Sequence, residues 1–73
     1  MKVKDIRTHF GARLRQLRTD KGLSQEQLMM NTGIHRTYIS EVERGIRNIS
    51  LLNIEKLANA LQIDIREFFD FGA

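Results

Sequence analysis

GLSQEQLMMNTGIHRTYISEVERG, residues 22–45, decides how this chain is read. Ser24 and Gln27 have the spacing of a capping box, in which each side chain satisfies a free amide of a helix's first turn. Leu28 faces inward, and Asn31-Thr32-Gly33 ends that helix, expected over about 24–31. Ile34 leads a second short helix, about 35–44, which Gly45 closes. On a wheel of about 100° per residue, Arg36, Thr37, Ser40, Glu41 and Arg44 share one side. Ile39 and Val42 take the other, with His35, Tyr38 and Glu43 toward its margins. One side is built for a core, the other for hydrogen bonding. Two short helices about a tight turn, the second with such a polar side, suit presentation of a helix to a DNA groove.

Outward from this segment the pattern stays helical. Proline is absent, nothing alternates with period two, and apolar spacings of three and four recur throughout, so no strand is predicted. A first helix is expected over about 4–20, with Val3, Ile6, Phe10, Leu14 and Leu17 in one arc and Gly22 beyond its end. Ser50 is placed to cap a helix over about 51–61, with Ile54, Leu57, Ala58 and Leu61 on one face. Asp64 and Glu67 are spaced to cap a short fifth helix, about 64–69, carrying Ile65, Phe68 and Phe69.

Composition narrows the function classes. With 73 residues there is room for one domain, 1–73. Without cysteine there are no disulfides or thiolate metal sites, and His9 and His35 are too few for a usual zinc site, so no metal and no cofactor are expected. No nucleophile, base and acid stand at useful spacing and no Gly-rich phosphate loop is present, so neither an enzyme nor a small-molecule substrate is expected. No apolar run approaches the roughly 20 residues of a membrane span, and MKVKDIRTHF lacks a signal peptide's apolar stretch; a cytoplasmic location follows as the expectation. The net charge of +3 is compatible with a polyanionic partner.

GARLRQLRTDKGLSQEQL, TGIHRTYISEVERG and IEKLANALQID resemble the lambda-repressor-like, Cro/C1-type (XRE) helix-turn-helix family over about residues 10–69. The resemblance lies in a combination: R-x-x-K-G-L-S-Q, a glycine eight residues after Gln25, then I-S-x-x-E-R-G. Within the family, RTYISEVERGIRN is most similar to controller proteins of restriction–modification systems. The resemblance implies a five-helix, all-α fold, a double-stranded DNA partner and control of the protein's own gene and an endonuclease gene. A phage-type repressor, an antitoxin, or an adaptor that has lost DNA binding remain alternatives.

The resemblance further puts Arg36, Thr37 and Ser40 over the major groove, where an arginine pairs with O6 and N7 of guanine. Tyr38 is turned toward the core margin by the wheel and toward DNA bases by the resemblance, and both readings stand. Gln25 is implied to meet phosphate, aided by the helix-start amides. Arg44, Arg47 and Asn48 cluster beyond the recognition helix, placed to anchor the DNA backbone; for Arg47 the resemblance adds a base contact. His35 stands where the family has Ser or Thr, and either caps poorly or meets phosphate. Arg18 and Glu43 are implied to form a partly buried structural ion pair. Met29 replaces the family's usual alanine against the recognition helix.

The apolar surplus in the carboxy-terminal third points to a homodimer through the fourth and fifth helices. Leu52, Ile63, Ile65, Phe68, Phe69 and Phe71 are its expected interface. A two-fold dimer would set two recognition helices about 34 Å apart on a near-palindromic operator, with one dimer or two on adjacent sites.

Overall fold

A computed structural model describes residues 5–72. It contains α1 (Ile6–Asp20), α2 (Gln25–Thr32), α3 (Arg36–Glu43), α4 (Leu51–Leu61) and a final 3₁₀-helix (Ile65–Phe69), with no strand among the described residues. The expected fifth α-helix is therefore corrected to a 3₁₀ turn. A five-residue segment forms too few i→i+4 bonds to offset the cost of an α-helical nucleus, and the tighter form suits short pieces. Asp64 caps it by accepting from the Arg66 amide at 2.9 Å, whereas Glu67 supplies no reciprocal bond among the described residues.

The other ends follow local chemistry. The Asp5 carboxylate accepts from the Arg7 amide at 2.8 Å and starts α1. The expected start at Lys4, and Val3 in the apolar arc, lie outside the described residues. Ser24 and Gln27 form the full capping box of α2, at 3.0 and 2.8 Å. Ser50 caps α4 through the Asn53 amide at 3.1 Å. Each such cap is worth about 1 kcal/mol.

Phe10, Leu14 and Leu17 of α1 meet Leu28, Ile34, Ile39 and Val42 of the helix-turn-helix and Ile54, Leu57, Ala58 and Leu61 of α4 in one core. Phe68 closes it from below, its ring 5.1 Å from that of Phe10. Met29 is half-buried against this core, so the larger side chain is accommodated between α2 and its neighbours. Ile6 departs from the expected arc: it is 56% exposed. It stands in the first turn of α1, at the rim of an apolar cleft of about 270 Å³ that also takes in Phe10, Ile49, Ile54 and Phe69.

The decisive packing contact was not visible in the apolar pattern. Gly11 lies in the middle of α1, where a β-carbon would sit 2.1 Å from the Val42 carbonyl oxygen and 2.7 Å from that of Glu43. The backbone end of α3 rests directly on α1, and only the absence of a side chain allows it. Gly45, at φ +77°, continues the same close approach against Thr8.

Candidate DNA-binding surface

The α2–α3 turn is held by its own side chains. The Thr32 hydroxyl donates to the Leu28 carbonyl at 2.7 Å and accepts from the Ile34 amide at 3.0 Å. Gly33, at φ +76°, takes the left-handed conformation that closes α2 and gives its amide to the Met29 carbonyl at 2.7 Å. His35 then caps α3: its Nδ1 accepts from the Thr37 amide at 3.1 Å. That bond occupies Nδ1 of the exposed ring. The histidine therefore replaces a Ser or Thr cap adequately.

The buried side of α3 is Ile39 and Val42. On the other side Arg36 and Thr37 are exposed, and among the described residues neither side chain has a hydrogen-bonding or ionic partner. Ser40 is half-buried and Arg44, the C-cap, is exposed. Tyr38 is half-buried and engaged: its hydroxyl accepts from the Ser50 amide at 3.3 Å and donates to the Asn48 carbonyl at 3.4 Å. It thereby ties α3 to the connector and to the start of α4. The Arg47 guanidinium lies 4.6 Å from the centre of the Tyr38 ring, and its Nε is 3.2 Å from Oε1 of Glu41. Asn48 is exposed beside it.

Glu43 faces the interior. Arg18 donates Nε and Nη2 to its two carboxylate oxygens at 2.6 and 2.9 Å, and Nη1 to the Leu23 carbonyl at 2.7 Å. The Glu43 hydrogen bonds raise the Arg18 pKa further above its ordinary value, so the guanidinium is locked in its charged form. The amide nitrogen of Gln25 joins the same carboxylate at 3.1 Å. One of its two N–H groups is thus committed inside the protein, and only the other is left for a phosphate.

Two further residues shape this region, and the spacing of its polar side chains singles out neither. Gly11 sets the seat of α3, and its signal was a glycine interrupting a strong helical pattern. Glu41 lies on the polar side of the α3 wheel, where spacing gives it no partner. Its ion pair depends on how the connector folds back, which no local spacing reports.

The carboxy-terminal residues are sorted by depth. Leu51 and Leu52 are 81% and 70% exposed, and Ile65, Phe69 and Phe71 are also exposed. Phe71 stacks on His9 with centroids 5.0 Å apart, and Ile63 is half-buried against the core. Phe68 is removed from the expected interface: it is fully buried within its own chain and has no surface to offer a partner. No helix of the described residues is long and apolar enough to cross a membrane. Among those residues no group of three metal-ligating side chains converges.

A short capped helix, a left-handed glycine turn and a second helix with its polar side outward define a helix-turn-helix DNA-binding protein. Residues 14–68 match the family model described as Helix-turn-helix, and the chain belongs to that family. In particular it is similar to restriction–modification controller proteins. It is 48% identical over 68 residues to "Control protein C.BamHI" of Bacillus amyloliquefaciens, covering 92% of this chain and 84% of that one. The crystal structure of the restriction–modification controller protein C.AhdI from Aeromonas hydrophila superimposes with a TM-score of 0.85 at 58% identity, covering 88% of this chain and 97% of that one. The controller C.Esp1396I, solved as a tetramer in complex with its natural 35 base-pair operator, gives a TM-score of 0.81 at 28% identity, over 93% of this chain and 90% of that one.

Proposed function

We propose that this chain is a sequence-specific transcription regulator that acts as a homodimer on a near-palindromic operator. As the controller of a restriction–modification system, it regulates its own gene and that of the endonuclease. The observation that carries the reading is the outward side of α3, where Arg36 and Thr37 are exposed and unengaged among the described residues while Ile39 and Val42 fix the helix to the core. Arg36 and Thr37 read bases, with Ser40 beside them. Gln25, His35, Arg44 and Asn48 hold the phosphates on either side.

The exposed apolar residues Leu52, Ile65, Phe69 and Phe71 supply the two-fold interface, with Ile63 at its edge. The operator complex solved for C.Esp1396I supports both the DNA partner and assembly beyond one chain. The chain is one domain, works in the cytoplasm, and performs no catalysis. Footprinting on the DNA upstream of its own gene, across protein concentrations, tests the reading. Protection of one or two near-palindromic sites is expected, and uniform or absent protection would refute it.

A further inference from the structure

Three helices of this chain end at a left-handed glycine that an apolar residue follows: Gly22-Leu23, Gly33-Ile34 and Gly45-Ile46. Leu23 packs against the core and Ile34 is buried in it. Ile46 is the exception: it is 58% exposed and has no place in the core. The cause lies in the end of α3. Gly45 gives its amide to the Val42 carbonyl at 3.0 Å, and Ile46 gives its own to the Glu41 carbonyl at 3.1 Å. This paired closure commonly lays the residue after the glycine on an apolar side chain of the helix's last turns. Here those positions are held by Glu41 and Ser40, on the polar side of α3. Ile46 is therefore left in solvent at the end of the recognition helix, with exposed Arg44, Arg47 and Asn48 around it in the chain.

We propose that Ile46 is a specificity-determining residue that packs on the C5-methyl group of an operator thymine. The proposal rests on the DNA-binding reading above. A lysine or arginine in this place would add one more phosphate contact. Isoleucine adds none, since it has neither charge nor donor. What it offers is apolar area, and the apolar group that a base pair presents in the major groove is the thymine methyl. The other three bases lack that methyl, so the contact discriminates among them. Covering it removes apolar surface of both partners from water. The polar neighbours of Ile46 hold the connector to the DNA backbone, and that register fixes which base its side chain meets.

The test uses the full chain and a duplex that the wild-type protein selects from a random pool. Each thymine of the half-site is replaced in turn, in both half-sites, by deoxyuridine, which removes a methyl group and nothing else. At one position the replacement is expected to weaken wild-type binding about tenfold to twentyfold, the scale of one methyl-sized contact per half-site. Ile46→Ala should weaken binding to the unmodified duplex at least as much, yet lose little more on the duplex with that one replacement. Its slope of log affinity against log salt should match the wild type, because no phosphate contact is lost. Circular dichroism and sedimentation should show its fold and self-association unaltered, since the side chain is exposed. Full affinity of Ile46→Ala, a loss equally large on every deoxyuridine duplex, a selected half-site without thymine, or weakened self-association that accounts for the loss would each overturn the role of Ile46 and leave the DNA-binding reading intact. If the wild-type chain enriches no sequence from the pool, the DNA-binding reading itself fails, and the proposal with it.

Discussion

Arg18 on α1 grips Glu43 on α3 through two parallel hydrogen bonds, and the pair lies at the base of the recognition helix with side chains only 11% and 4% exposed. Charge is thereby used inside the domain, one residue away from the exposed Arg44. Removing one partner strands the other in a poorly solvated place. Glu43→Ala or Arg18→Ala is expected to lose about 3 kcal/mol, toward the low end for buried pairs because Arg18 keeps some solvent. Urea unfolding followed by circular dichroism measures it. DNA affinity should fall with the folded fraction, and a variant of wild-type stability would show the pair to be dispensable.

Gly11→Ala places a methyl group on backbone atoms that cannot rotate away. Overpacking of this kind costs about 1–3 kcal/mol, and the upper end is expected because both obstructing oxygens are main-chain. Since α3 is the element displaced, operator binding should weaken beyond what the lost stability explains. Thermal melting together with binding at low temperature separates the two effects. An unchanged melting temperature would contradict the close approach of α1 and α3.

Arg36→Ala is expected to weaken specific binding by about 1–3 kcal/mol and relax preference at one base position. Gln25→Ala should act differently: it weakens binding to every sequence and also loosens the Arg18–Glu43 pair to which the amide donates. Selection from random duplexes, run on both variants, reads the contrast. An unaltered motif with Arg36→Ala would remove direct readout from that residue.

Depth separates Leu52 from Phe68. Leu52→Glu is expected to disrupt self-association while leaving the monomer folded, since the side chain is 70% exposed. Phe68→Ala should cost about 3–5 kcal/mol of fold stability by opening a cavity beneath Phe10. Sedimentation and circular dichroism on the two variants resolve this. Unaltered association of Leu52→Glu would exclude its part of the interface.

At the start of α1, hydrogen bonds from the Arg7 side chain and amide lower the Asp5 pKa from its ordinary value of 3.8 to about 2. A depressed carboxyl favours the folded state above its unfolded value, and that contribution is lost as protonation sets in. The cap is therefore expected to hold unchanged from neutral pH down to about 4 and to fail only between 3.8 and about 2. A carboxyl-carbon NMR titration of Asp5 checks it, and a midpoint near 3.8 would mean that Arg7 is disengaged.

The sequence by itself determined what short-range chemistry controls. Caps at Ser24, Ser50 and Asp64, the glycine turn at Gly33 and the two-sided wheel of α3 depend on neighbours within four residues, so spacing alone displays them. The same locality made Ile6 look buried, because periodicity marks a helix face without saying where the core ends. Tertiary structure decided the rest. It sent Phe68 inward and left Leu52 outside, seated α3 on Gly11, and folded the connector so that Arg47 reaches both Tyr38 and Glu41. Those outcomes turn on atoms brought together from distant turns of the chain, and which charges cancel or which rings are covered is fixed only once the helices have packed.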